Sequence, residues 1–189
     1  MDRSRFCITG LPRSRTAWLA ALMCAHGIET LHEYPPFFGS LEELRAWLYA
    51  GTPESPRGYV DGFCIIHHAP LLKQHFGNSP IVIIQRDPME VRRSWDAWEG
   101  PTSDEVFGEV MGKVIGFWRE SAGAENVVSV PYEDLDRYEA VNYLVEHCTG
   151  RALKPLTWQL FHRLKIELHK AKCQPHLIED RDNLRRSPP

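Results

Sequence analysis

Arg13, Ser14, Arg15 and Thr16 stand between a short apolar run, Phe6-Cys7-Ile8-Thr9, and the start of a helical pattern. Gly10 ends the run, and Trp18, Leu19, Leu22 and Met23 carry the helical spacing to Gly27, where a C-cap glycine is expected. Strand, tight loop and helix in that order aim backbone N–H groups and the positive end of the helix dipole into the loop. With Arg13 and Arg15 beside those groups, the natural occupant is an anion, phosphate or sulfate above all. The Walker A pattern G-x-x-x-x-G-K-[ST] is absent. Counted from Gly10, its second glycine is Arg15, its lysine Thr16 and its hydroxyl residue Ala17, which disfavours an ordinary ATPase or GTPase.

A second basic residue and hydroxyl follow the clearest strand in the chain, Ile81-Val82-Ile83-Ile84-Gln85. Asp87 as N-cap, Pro88 at the first helical position and Glu90 at the third force a helix to begin there. Arg86 is left at the strand edge, and Ser94 lies about 9 Å further along the helix at 1.5 Å per residue. The two can hold a second phosphate, separate from the first. His67 and His68 close another apolar run, Gly62 to Ile66, at the strand end where open α/β sheets bind ligands. They lack partners at zinc-ligand spacing. Glu33 leaves a short strand, Glu29 to Glu33, just before Tyr34-Pro35-Pro36 stops regular structure.

The elements that position these residues are strands near residues 6, 30, 64, 82 and 128, each followed by helix or loop. Ser40 and Glu43 form a capping-box pattern for a short amphipathic helix ending near Gly51, and Thr52 to Gly62 reads as a loop. Tyr34 to Asp61 thus forms a long excursion, suited to a lid or an acceptor wall. Helix continues through Trp95, Trp98 and Val106 to Trp118, and Leu156, Leu160, Leu164 and Leu168 space a C-terminal helix. The pattern predicts a single three-layer α/β domain, residues 1–189, with a parallel central sheet and a polar tail over 174–189.

Composition narrows the class. The chain has 189 residues, 43% hydrophobic and 25% charged, the balance of an ordinary globular domain with a substantial core. A net charge of −3 gives no global attraction to nucleic acid or membranes, so any polyanion site is local. The sequence has neither a membrane-length apolar run nor a signal peptide, which predicts a cytoplasmic protein. Cys7, Cys24, Cys64, Cys148 and Cys173 are dispersed, odd in number and without a C-x-x-C, as free thiols are.

The first loop resembles the 5′-phosphosulfate loop of the sulfotransferase family, P-[KR]-S-G-T-[ST]-W-L. It stands here as Pro12-Arg13-Ser14-Arg15-Thr16-Ala17-Trp18-Leu19, with six of eight positions in agreement. The departures are Ala17 for a hydroxyl residue and Arg15 for a glycine; a side chain at 15 either points away from the ligand or adds a charge to it. Arg86-Asp87-Pro88 through Ser94 is similar to the family's 3′-phosphate segment, R-[DN]-P-x-x-x-x-x-S. His68, two residues before Pro70, resembles the catalytic histidine of K-[TS]-H-x-P, with Ile66 in place of the lysine. Tyr132-Glu133-Asp134-Leu135 resembles the family's Y-E-D-L turn, and the R-K-G segment that often completes the nucleotide site is absent.

The resemblance covers Phe6 to Leu135 and implies the P-loop-like sulfotransferase fold. It implies transfer of a sulfuryl group from 3′-phosphoadenosine 5′-phosphosulfate (PAPS) to a hydroxyl or amine, without a metal. Gly10, Pro12, Arg13, Ser14, Arg15 and Thr16 would line the 5′ site, Arg86 and Ser94 the 3′ site, and Arg13 would serve catalysis as well. For the base it offers His68, or Glu33, since some branches of the family use a glutamate soon after the first helix. The partners implied are a nucleotide co-substrate and an acceptor of unknown identity. Two rival readings stand beside this one: a P-loop kinase of small molecules, and a nucleotide-binding module without turnover.

Overall fold

The computed structural model describes residues 1–32, 41–62, 72–121 and 123–170. Its strands are β1 (Arg5–Gly10), β2 (Glu29–His32), β3 (Arg57–Asp61), β4 (Ile81–Gln85) and β5 (Val127–Pro131). They form one parallel sheet in the order β2-β3-β1-β4-β5. The helices are α1 (Thr16–Ala25), α2 (Leu41–Tyr49), α3 (Pro88–Glu99), α4 (Asp104–Ser121), α5 (Tyr138–Thr149) and α6 (Pro155–Lys170), with a further helical stretch at 72–76.

β1 is central and apolar on both faces, as a parallel strand covered on both sides must be. Phe6 and Ile8 pack with Trp18, Leu19 and Leu22 of α1, Val141 and Leu144 of α5, and Trp158 of α6. Cys7, pointing the other way by strand alternation, packs with Leu44 and Leu48 of α2, Phe76, Val91 of α3 and Val114 of α4. The result is the three-layer α/β architecture with a parallel sheet that the sequence predicts. No helix among the described residues is long and apolar enough to cross a membrane.

Two expectations need correction. The strand beside β1 is Arg57–Asp61, inside the stretch expected to be loop; Gly62 lies past its end, and residues 63–67 fall outside the described residues. Gly58 pairs with Phe6, and a Cβ on Gly58 would sit 2.1 Å from Phe6 Cζ, so β1's own ring fills the space a β3 side chain would otherwise take. That is why β3 lacks the apolar run of a buried strand. The helix expected to continue past Trp98 instead ends at Gly100, at φ 91, and α4 restarts after Ser103, whose hydroxyl accepts from the Val106 N–H at 3.3 Å. The C-terminal helix forms as the leucine spacing predicts, as α6, although Leu156 and Leu160 are 67% and 51% exposed. Trp158 is buried instead, edge-on to Trp18 at 6.0 Å, and the Trp18 indole N–H donates to the Phe161 carbonyl at 3.2 Å.

Because every strand runs the same way, Gly10, His32, Asp61, Gln85 and Pro131 close their strands at one edge of the sheet. After β1 the chain builds β2 and β3 to one side and then crosses to β4 and β5 on the other. A crevice at the carboxyl ends of β1 and β4 follows from that reversal, and it is the usual ligand position in such sheets.

Candidate functional site

The loop between β1 and α1 occupies that crevice. Gly10 is required by close approach, since a Cβ there would lie 2.7 Å from the Ile84 carbonyl oxygen. Pro12 is buried, and Arg13 and Arg15, with φ of 68° and 60°, flank the buried Ser14 in left-handed backbone. Each left-handed non-glycine residue costs about 1–2 kcal/mol. Such alternation turns successive N–H groups toward one concave side, a nest for an anion. Arg15 is the N-cap of α1: its carbonyl accepts from the Leu19 N–H at 2.9 Å, while its own side chain makes no capping bond and no acid stands in the first turn. The first-turn N–H groups thus lack a side-chain acceptor from the N-cap. Ser14 Oγ is fully buried with no hydrogen-bond partner among the described residues. A buried hydroxyl in a ring of donors fits an anionic ligand.

Arg15 resolves the departure from the family's glycine. Its backbone holds the left-handed conformation that favours glycine, and its side chain leads to a 3-10 turn, Tyr132–Asp136, that follows β5. There its guanidinium donates to Asp136 Oδ1 at 2.7 Å and lies 4.6 Å from the Tyr132 ring centre. Burial costs it hydration, but bonding to Asp136 and Tyr132 more than offsets this and raises its pKa. Two substitutions separate backbone from side chain. Arg15→Gly relieves left-handed strain while losing the ion pair, and its stability stays within about 1 kcal/mol of the parent. Arg15→Ala keeps the strain and loses the pair, so its urea midpoint falls below that of Arg15→Gly. The reverse order would show that left-handed strain at position 15 does not set the difference.

The structure brings the second basic station onto the same loop. Asp87 Oδ1 accepts from the Glu90 N–H at 2.9 Å, and with Pro88 in the first turn it starts α3 where the sequence predicts. Arg86 reaches back and donates through Nη1 to the Arg13 carbonyl oxygen, with its guanidinium 4.3 Å from the Tyr132 ring centre. Its Nε is buried without a hydrogen-bond partner among the described residues, with Glu90 Oε2 4.0 Å away. Arg13 Nε in turn donates to Ser94 Oγ at 3.3 Å. Arg13, Arg86 and Ser94, separated by up to 81 positions in the chain, form one connected cluster. Tyr132 was legible only as part of a turn, yet both Arg15 and Arg86 lie over its ring.

His32, the last residue of β2, has no role in the sequence-based reading. Its Nε2 lies 3.1 Å from Oγ1 of Thr16, the first residue of α1. Burial pushes its pKa down to about 4, so the ring is neutral at pH 7. The unfolded chain takes up a proton near pH 6.5, where the folded ring does not. Stability is therefore fully present above about 6.5 and lost as pH falls toward 4, by about 3 kcal/mol. His26, His75 and His147 are also lowered by burial and add to the same acid sensitivity. The difference between urea midpoints of parent and His32→Gln across pH 4 to 7 isolates the His32 share. If that difference is constant with pH, His32 titrates normally.

Asp61 is a buried carboxylate at the end of β3 that accepts from the Tyr59 hydroxyl at 2.5 Å. Glu33, His67 and His68, the candidate bases and the neighbour of one, lie outside the described residues. Among the described residues no cluster of histidine, cysteine and carboxylate side chains is suited to a metal. Cys7, Cys24 and Cys148 are free thiols; Cys64 and Cys173 lie outside the described residues.

Neither a family model nor a curated protein matches the sequence. Solved structures do. A mouse sulfotransferase, SULT7A1, complexed with PAP is similar over 87% of this chain, with a TM-score of 0.58 and 14% identity. This chain spans 64% of that one's length. A sulfotransferase from Alicyclobacillus acidocaldarius is similar over 87% of this chain and 93% of its own, with a TM-score of 0.54 and 12% identity. At such identity the likeness establishes the fold, a five-stranded parallel α/β domain shared with sulfotransferases.

Proposed function

We propose that this chain is a sulfotransferase that uses PAPS and transfers its sulfuryl group to a hydroxyl or amine. The observation that carries the reading is the joining of Arg86 and Ser94 to the loop through Arg13, which sets two cationic stations side by side at the crevice. A nucleotide with phosphates at both its 3′ and 5′ positions asks for two such stations. Ser14 Oγ and Arg86 Nε, buried and without a hydrogen-bond partner among the described residues, suit oxygen acceptors at each. The solved relative crystallised with PAP adds support at the level of the fold.

PAPS, when bound, supplies the activated sulfuryl group. Arg13, Ser14, Thr16 and the first-turn N–H groups of α1 hold its 5′ end and stabilise negative charge that develops on the leaving phosphate oxygen. Arg86 and Ser94 select the 3′-phosphate. The acceptor's proton goes to His68 or Glu33. A small-molecule kinase is the weaker reading, because Thr16 occupies the position of the Walker lysine.

Calorimetric titration with adenosine 3′,5′-bisphosphate, AMP and ATP tests this, followed by a transfer assay with PAPS over a panel of hydroxyl and amine acceptors. The bisphosphate is expected to bind tightest and transfer to be detected. Preference for ATP would overturn the reading in favour of a kinase, and tight bisphosphate binding without transfer to any acceptor in favour of a module without turnover.

A further inference from the structure

The bond between His32 and Thr16 spans two elements that a sequence gives no reason to connect. His32 closes β2 and pairs with Val60, whose side chain packs with Trp18 and Leu19 of α1, so the register sets His32 against the start of that helix. Thr16 is buried, the first residue of α1, and adjoins the nest formed by Arg13 to Arg15.

A threonine hydroxyl has one hydrogen and two lone pairs, and a neutral imidazole has one N–H and one acceptor nitrogen. At 3.1 Å the contact can therefore run either way. If Thr16 donates to Nε2, its only hydrogen is spent on the histidine and the hydroxyl turns a lone pair toward the loop. If Nε2–H donates to Thr16, the hydroxyl hydrogen stays free. The rest of the loop is built of donors: the Arg13 guanidinium, the Ser14 hydroxyl and the uncapped first-turn N–H groups of α1. An occupant of that site accepts hydrogen bonds, and a lone pair aimed at it would repel it.

We infer that His32 is a positioning residue for the anion loop: its Nε2–H donates to Thr16 Oγ1 and leaves the threonine hydrogen free to donate to the bound anion. Burial keeps the ring neutral at pH 7, so it carries a single N–H, and in this arrangement Nε2 holds it. The hydroxyl becomes a better donor because it is already accepting, the cooperative effect of chained hydrogen bonds. The inference rests on the loop's being an anion site.

Two measurements test it. Imidazole nitrogen NMR on the whole chain, with the His32 signals assigned by their loss in His32→Gln, is expected to show the Nε2–H tautomer; the Nδ1–H tautomer overturns the inference. A double-mutant cycle then reads binding of adenosine 3′,5′-bisphosphate by calorimetry. His32→Leu, checked for folding by its melting curve, is expected to weaken binding about 5- to 10-fold, the worth of one neutral hydrogen bond. His32→Gln, whose amide offers an N–H at similar reach, recovers most of that loss. In a Thr16→Val background His32→Leu has no further effect, whereas full additivity of the two losses assigns His32 to fold stability alone. Failure of the parent chain to bind the bisphosphate would sink the nucleotide reading; the cycle then runs on inorganic pyrophosphate, and the tautomer, which needs no ligand, decides the hydrogen-bond direction.

Discussion

Arg13→Ala lowers sulfuryl transfer from PAPS by about 10²- to 10³-fold, the usual loss when one preorganised donor to a developing oxyanion is removed. The fold scarcely changes. Arg13 Nε makes a 3.3 Å bond to Ser94 Oγ, and a contact of this type is worth about 1 kcal/mol. Alanine retains a Cβ at φ 68, so the backbone strain is the same before and after. Glycine would relieve that strain and confuse loop shape with lost charge, which is why alanine is the better probe. Arg13→Lys keeps the charge as a point and gives up the planar fork, so its rate falls between the two. Single-turnover transfer with saturating PAPS, beside a urea melt, gives both readouts. A full rate in Arg13→Ala removes this residue from the chemistry.

Arg86→Ala abolishes the preference for adenosine 3′,5′-bisphosphate over AMP. In the parent chain a charge-assisted contact to the 3′-phosphate is worth about 1.5–3 kcal/mol, a ratio of roughly 10- to 150-fold between the two nucleotides. Without Arg86 the ratio approaches one. The substitution also removes the bond to the Arg13 carbonyl and the packing on Tyr132, so both affinities drop to some extent. The ratio is insensitive to that shared loss because both ligands meet the same loosened loop. Ser94→Ala lowers the ratio by less, as a neutral hydroxyl contributes less than a guanidinium. If Arg86→Ala retains the parent ratio, the 3′-phosphate is read elsewhere.

The parts of this fold that could be read from the sequence are those with local causes. β1 and β4 are apolar on both faces and announce themselves as buried parallel strands. The start of α3 is written in Asp87, Pro88 and Glu90. β3 is hidden because its core contact comes from Phe6, across the sheet, over a glycine. The periodic leucines announce α6 without saying which of its sides meets the core; Trp158 and Phe161 are what meet α1. Helix α5 was passed over, although Val141, Leu144, Val145 and Cys148 are all buried at helical spacing.

The site divides the same way. Arg13, Arg86 and Ser94 were found by residue type and spacing, and the geometry unites them. The His32–Thr16 bond depends on the register of β2 against β3, and the shared Tyr132 ring depends on where the turn after β5 settles. Neither is a property of any local stretch. Whether Glu33 or His68 serves as the base is a matter for pH–rate profiles of Glu33→Gln and His68→Gln.

The fastening of Arg15 to Asp136 also bears on the order in which the molecule assembles. A glycine at position 15 would let the loop take its shape from local preferences alone, within the first turns of α1. With arginine there, the left-handed backbone is opposed locally and is held by a partner 121 residues away, while Arg13 waits on Ser94, 81 residues away. Closing such long loops costs chain entropy before any contact repays it. The anion loop, although it precedes both of those partners in the chain, is therefore expected to be among the last pieces completed, after the turn following β5 has docked. Weakening its interactions is therefore expected to hasten unfolding far more than it slows folding, which the two limbs of a chevron plot for Arg15→Ala check.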